Sequence, residues 1–364
     1  MAKRAIDTTL LAAVLTLLGF GIVMVFSASS VEAAVVNHNA YYYLERQMIW
    51  AGLGLFLMFA LSRIDYHILL RYAEPIAWGT FGLLVLVLVP HIGKDINGAR
   101  RWLGFGSLLF QPSEMAKFSL VLLFAKRLAT ERRITNFAHG ILVPLAILGV
   151  FAGLIIYEPD LGTALALSGT VMAMLFTAGA SGVQLGAVLL SLVPAVGVLI
   201  AMAPYRMRRF LAFLDPKQDP LGSGYHIIQS LYALGSGGLF GVGLGQGALK
   251  YFYLPEQHTD FIFAIIGEEL GLLGAAAVIA LFFVVTVRGL RVAMLAPDRF
   301  GALLATGLTA MIAVQALLNI AVVTASMPIT GVPLPLISYG GSSLLFALAG
   351  IGVLLNVSRQ RVSA

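Results

Sequence analysis

The chain has 364 residues, 59% of them apolar and 11% charged, with a net charge of +6 and no cysteine. A mean hydropathy of +0.93 excludes an ordinary soluble domain, and the lack of cysteine excludes disulfides and thiolate metal ligands. The basic residues are scattered along helix ends rather than gathered in one polar domain, which argues against nucleic acid as a partner. The composition suits an all-α, polytopic membrane protein.

Ten apolar stretches follow in order: Leu10 to Phe26, Ile49 to Leu61, Ile76 to Val89, Met115 to Phe124, Ile141 to Ile156, Leu161 to Thr177, Val183 to Met202, Phe261 to Val287, Ala302 to Val323 and Leu334 to Leu355. A span takes about 20 residues, so ten helices are expected, with the second, third and fourth needing flanking residues to complete them. Lys3-Arg4 before an apolar run and Ser27-Ala28-Ser29 after it mimic a secretory signal, but nine further stretches favour an uncleaved first span. With the amino terminus inside, the inner segments hold 13 of the 23 Lys and Arg, among them Lys3, Arg4, Arg132, Arg133 and Arg361. That bias puts both termini in the cytoplasm. Residues 1–364 are expected to form one transmembrane domain, with 204–259 as an extracytoplasmic loop between helices 7 and 8.

That loop opens with Arg206-Met207-Arg208-Arg209-Phe210-Leu211-Ala212-Phe213-Leu214, whose alternation suits a helix lying at the interface; the plainer reading is a solvated basic stretch. Farther on come Gly235-Ser236-Gly237-Gly238 and Gly241-Val242-Gly243-Leu244-Gly245-Gln246-Gly247. No Gly-Lys-Ser/Thr follows them, so they read as irregular backbone at the membrane surface rather than a nucleotide loop.

Asp260 sits at the mouth of the helix that continues Ile262-Phe263-Ala264-Ile265-Ile266-Gly267. An ionisable residue at the edge of hydrocarbon reads by default as a functional site, and equally as a helix cap favoured by the dipole. Steps of about 100° put Gly267, Gly271 and Gly274 near its face, a stripe that lets a neighbouring helix approach closely. Glu114 and Lys117, three apart, share a face and could line a cavity, although Lys117 could also snorkel to the surface. Asp160 opens another helix, and Ser338-Tyr339-Gly340-Gly341-Ser342-Ser343 interrupts the last apolar stretch. Acids and bases at one depth on several helices point to a polar chamber.

Arg101-Trp102, Gln111-Pro112-Ser113-Glu114, Glu158-Pro159-Asp160-Leu161-Gly162-Thr163, Leu254-Pro255-Glu256, His258-Thr259-Asp260-Phe261, Gly267-Glu268-Glu269-Leu270-Gly271, and Pro333-Leu334-Pro335 with the serine-glycine segment occur in that order. In this combination, from first span to last, the chain resembles the SEDS peptidoglycan glycosyltransferases, the family of RodA, FtsW and SpoVE. Gly241-Val242-Gly243-Leu244-Gly245 before Lys250-Tyr251-Phe252-Tyr253, and the closing Ser358-Arg359-Gln360-Arg361, are more like the FtsW and SpoVE branch than RodA.

The resemblance implies polymerisation of lipid II into glycan strands on the outer face of the bacterial cytoplasmic membrane, for septal wall. It implies as partners the nascent strand, membrane lipid, a class B penicillin-binding protein that crosslinks the strands, and division or elongation regulators. It makes Asp260 the catalytic acid of the His-Thr-Asp motif. Attack of a sugar hydroxyl on a carbon bearing lipid pyrophosphate needs a base and cations for the departing charge, roles given to Asp260 and to Arg101 with Lys117.

Trp102, Gln111, Glu114, Ser338, Tyr339 and Ser342 are expected around the substrate. Asp160 reads equally as a cavity organiser or a plain cap, Glu256 as a substrate contact or a turn residue, and His258 as an interfacial histidine or a ligand. Glu268 and Glu269 face different directions, so at least one should find a partner on another helix. No tightly bound cofactor is expected; a loosely held Mg²⁺ or Mn²⁺ shared with substrate phosphates would leave little sequence signature. The alternatives are a lipid II flippase and a non-catalytic scaffold for the transpeptidase.

Overall fold

Backbone groups in hydrocarbon have no water to bond, so apolar runs of this length can only become helices. The structure, a computed structural model, describes residues 5–96, 98–105, 108–130 and 138–360; Lys3, Arg4, Arg132, Arg133 and Arg361 lie outside the described residues. The helices are α1 (Thr8–Val36), α2 (Tyr42–Arg63), α3 (His67–Leu88), α4 (Pro112–Thr130), α5 (Val143–Tyr157), α6 (Leu161–Thr177), α7 (Gly182–Ala201), α8 (Pro204–Leu214), α9 (Tyr225–Ser236), α10 (Ile262–Met294), α11 (Arg299–Val323) and α12 (Gly341–Gln360).

Seven described segments are long and apolar enough to cross a membrane: α1, α2, Gly140–Tyr157 including α5, α7, α10, α11 and α12. Of the other expected spans, α6 has 17 residues, α4 carries Glu114, Lys117, Lys126 and Arg127, and α3 holds Arg71, Glu74 and Pro75 in its first half. The protein is an all-helical polytopic membrane protein but for one local departure. Between α3 and α4 the strands β1 (Lys94–Ile96), β2 (Ala99–Phe105) and β3 (Leu108–Phe110) form an antiparallel sheet in the order β1-β2-β3. The Asn97-Gly98 pair is a hairpin signal that the hydropathy pattern hides.

The last helix begins at Gly341 and not at Leu334. Pro333 and Pro335 cannot donate, and Leu336 is left-handed (φ 66°), so residues 332–337 run as irregular chain, buried except for the half-buried Pro333. Two amides one turn apart on α11 hold that chain: Gln315 Nε2 donates to the Pro333 carbonyl at 2.9 Å, and Asn319 Nδ2 to that of Val332 at 2.8 Å. The helix α11 packs against α10, α6 and α4, while α12 lies along α2. There a Cβ on Gly352 would stand 2.5 Å from the Met58 carbonyl oxygen, which is why a glycine is needed at this crossing.

The basic stretch 206–214 forms α8, and the glycine-rich residues after α9 fold back onto α10. Gly271 has φ 65° and ψ −166°, so α10 is interrupted there. The loop replaces the missing helical bonds: Val242 and Gly243 donate to the carbonyls of Glu268 and Glu269 at 3.0 Å, and Leu272 donates to Gly238 at 2.9 Å. The stripe beside Asp260 admits α9 and this loop; Gly267 faces Leu234, and Gly271 faces the backbone of Leu239 and Gly241.

Both adjacent acids find partners. Glu268 Oε1 accepts from Ala248 N at 2.7 Å and Leu249 N at 3.2 Å. Glu269 accepts from Gly245 N at 3.0 Å, from Lys250 Nζ at 2.8 Å, and from Ser27 Oγ of α1. The partner is thus mainly the loop, with α1 reached only through Ser27.

Candidate active site

A cavity of about 420 Å³ opens where α4, α6, α10 and α12 begin. Asp260 enters it from the turn before α10. The residue that caps α10 is Phe261, without a side-chain cap bond, so the capping reading of Asp260 fails. Its carboxylate accepts no hydrogen bond from the described residues, while the main chain around it is clamped. The carbonyls of His258, Thr259 and Asp260 accept from Tyr339 N at 2.9 Å, Ser338 Oγ at 2.6 Å and Asn319 Nδ2 at 2.7 Å. A fixed backbone with a free carboxylate is the arrangement a reactive acid requires. Gly331, at φ 73°, lies opposite: a Cβ there would stand 3.4 Å from Asp260 Oδ2.

Of the expected residues, Arg101, Trp102, Gln111, Glu114, Asp160 and Glu256 line the same cavity, as do Tyr339 and Ser342. Strand β2 delivers Arg101, whose Nε and Nη2 donate to the carbonyls of Glu158 (2.9 Å) and Pro159 (2.5 Å), with Nη1 3.8 Å from Asp160. Asp160 fills both of its roles. It caps α6 by accepting from Thr163 N at 3.0 Å, and it gathers Gln111 Nε2 (3.3 Å) and Arg101 at the cavity wall. Glu256 likewise combines two: left-handed at φ 55°, it closes the turn by accepting from Thr259 Oγ1 at 2.8 Å, and it remains exposed to the cavity.

Three expected residues do not line it. Lys117 is 2% exposed, 2.9 Å from Glu114 and bonded to Gln315 Oε1, so it sits under the floor and braces the 333 segment through α11. Its length and apolar neighbours let it pair inward rather than snorkel. Ser338 is spent on the backbone of Leu334 and Thr259. His258 is buried against the rings of Tyr43 (4.3 Å) and Tyr339 (5.7 Å), with Nδ1 3.5 Å from Glu32.

Sequence reading missed Arg46, Trp50 and Arg209 as cavity residues. The signal for Arg209 was present in the basic face of α8, but only folding shows that Arg209, while still solvent-accessible, borders the cavity. Arg206 anchors α8 by donating to the Ile156 carbonyl at 2.9 Å, and burial followed by the Arg101 charge lowers the pKa of Arg209.

Burial, then the charges of Glu256 and Asp160, raise the Asp260 carboxyl to about 7, with Arg101 and Arg209 opposing. Such an acid can accept a proton near neutrality. Glu158 is a second displaced acid: 0% exposed, with both carboxylate oxygens unpartnered, it is pushed up to about 9 by burial and then by Asp160.

The sequence profile of the FtsW/RodA/SpoVE family, described as a cell cycle protein, matches residues 8–363. The chain belongs to this family. Stage V sporulation protein E of Bacillus subtilis (strain 168) is 45% identical over 360 residues, covering 98% of each chain. A "probable peptidoglycan glycosyltransferase FtsW" of Trichlorobacter lovleyi is 45% identical over 353 residues, 97% of this chain and 93% of that one. Among solved structures, a chain of a peptidoglycan synthase complex described for its coordination of polymerization and crosslinking superposes with a TM-score of 0.80 at 34% identity, covering 99% of each. The RodA rod shape determining protein of Thermus thermophilus superposes at 0.73 with 31% identity, again over 99% of each.

In this FtsW/RodA/SpoVE chain the neutral state of Glu158 has a measurable consequence. An acid whose pKa is raised on folding contributes stability below its ordinary 4.5 that is lost as pH rises toward 9. Glu158→Gln is expected to melt like wild type at acidic pH and to remove that decline, as read by thermal unfolding across pH.

Proposed function

We propose that the protein is a peptidoglycan glycosyltransferase that polymerises lipid II into glycan strands for septal wall, on the outer face of the bacterial cytoplasmic membrane. Similarity at 45% identity over nearly the whole chain to FtsW and SpoVE proteins supports the activity, and the observation that carries it to a site is Asp260, whose carboxylate accepts no hydrogen bond from the described residues in a cavity lined by Arg101 and Arg209. Residues 1–364 form one transmembrane domain of ten spans, α1 to α7 and α10 to α12, with both termini cytoplasmic and 204–259 outside. A class B penicillin-binding protein is the crosslinking partner; likeness to the synthase complex supports this.

Asp260 takes the proton of the acceptor sugar hydroxyl as its oxygen attacks the anomeric carbon of the donor. The bond to lipid pyrophosphate breaks from the opposite side, so an α-linked donor yields a β-linked product in one inverting displacement. The positive charges of Arg101 and Arg209 stabilise the departing pyrophosphate, and Lys117 positions the cavity floor. Among the described residues no three His, Cys, Asp or Glu cluster as a metal site. Asp260 and Glu256 are the carboxylates left to hold a Mg²⁺ or Mn²⁺ shared with phosphate, which would supply further neutralisation of the leaving group.

The polymerisation rate is expected to rise with pH through about 7 as Asp260 loses its proton, and to level above it. A kcat/KM profile with purified lipid II checks this; a rate already level across that range would remove Asp260 as the base. The primary test is polymerisation of lipid II by the purified protein with its transpeptidase, in Mg²⁺ or Mn²⁺. Glycan strands from wild type establish the activity, whereas none under either ion would favour a flippase or scaffold.

A further inference from the structure

A second cavity, of about 530 Å³, lies in the half of the bundle remote from the active site, between the first half of α3, the end of α4 and the start of α5. Each helix contributes one stripe. Trp78 and Phe81 of α3 and Phe151 of α5 form an aromatic wall, with ring centroids 5.9 Å apart at both steps and edge-to-face geometry. Trp78 is 72% exposed on the face that a membrane would cover. Pro75 removes one helical bond from α3 at this level.

The rim differs in character. Glu74 pairs with Lys126 of α4 at 2.8 Å, with the more distant Arg127 charge adding to that attraction. Arg127, which lines the cavity, and Arg71, one turn before Glu74 on α3, are exposed, and among the described residues no carboxylate lies within ion-pair distance of either. The groove is therefore apolar and aromatic along its length and, among the described residues, carries a net positive charge at the end where α3 begins and α4 finishes.

We infer that this groove binds an anionic phospholipid of the leaflet opposite the active site, with an acyl chain along Trp78, Phe81 and Phe151 and its phosphate at Arg127 and Arg71. Charge complementarity selects the occupant: a zwitterionic lipid would bring a cation against guanidinium groups that have no carboxylate within ion-pair distance among the described residues, whereas an anionic one brings none. The site is separate from the reaction. Its lipid enters from the opposite leaflet and meets none of the groups around Asp260.

The test uses Trp78 as the reporter. In the full chain with Trp50→Phe and Trp102→Phe, Trp78 is the single tryptophan. Reconstituted with increasing mole fractions of brominated phosphatidylglycerol or brominated phosphatidylcholine, it should be quenched by the anionic lipid at about fivefold lower mole fraction. Arg127→Gln should abolish that preference while leaving quenching by phosphatidylcholine unchanged, and Arg127→Lys should retain it. Equal quenching by the two lipids would overturn the inference, as would displacement of the brominated lipid by a polyprenyl phosphate more readily than by unlabelled phosphatidylglycerol. Native mass spectrometry of the chain with all its tryptophans, in a mixture of the two lipids, gives an independent reading. Retained phosphatidylglycerol that disappears in Arg127→Gln supports the site; retention unchanged by the substitution refutes it.

Discussion

Asp260→Asn is expected to lower lipid II polymerisation by about 10²–10⁴-fold while leaving membrane insertion and transpeptidase binding unchanged and not lowering the melting temperature. The expectation follows from what the side chain does not do. It caps no helix and accepts no hydrogen bond from the described residues, so removing its charge breaks no structural contact. The amide is nearly isosteric, and the three clamped carbonyls from His258 to Asp260 keep the turn in place. A defect in kcat with an unchanged KM would mark loss of the base; retained turnover would remove Asp260 from the chemistry. Asn319→Leu, which frees the Asp260 carbonyl but keeps the acid, should give a smaller loss.

Breaking the buried pair between Lys250 and Glu269 is the other large effect. Their side chains are 3% and 0% exposed, and either single substitution, Lys250→Met or Glu269→Gln, strands the partner in a site that water cannot enter. A loss of about 3–5 kcal/mol is expected, read as a lower melting temperature in detergent. The double variant Lys250→Met with Glu269→Leu removes both charges and should recover most of that loss, leaving the cost of the freed Gly245 N–H and Ser27 hydroxyl. A loss in the double variant equal to the sum of the two single losses would show that the charges do not interact. The pair also matters to the candidate site, because the chain runs directly from Lys250 through left-handed Phe252 and Glu256 to Asp260.

Much of this was legible in the residues. Apolar runs had to be helices because hydrocarbon offers their backbones no other partner, and Arg101, Asp160, Glu256 and Asp260 stood out because charge at a helix mouth is costly unless used. Local rules also marked α8 by its basic alternation and the glycine stretch as irregular chain. They failed where the outcome depended on distant partners. Lys117 has the sequence context of a cavity cation, yet Gln315, 198 positions away, draws it under the floor.

His258 adjoins the Asp260 turn but faces Tyr43 and Glu32, and Leu334 to Ile337 look like the start of a span but continue an irregular chain that amides on α11 hold at Val332 and Pro333. Arg46 and Arg209, the missed cations, come from α2 and from a surface helix. The sequence by itself determined the class and the membrane setting and singled out Asp260 as the candidate acid, because hydropathy and the cost of isolated charge are properties of single residues and short runs. Only the tertiary structure decided which cations face that acid and which are spent beneath it, because the pairing of a buried charge is settled by whichever opposite group the fold brings within reach.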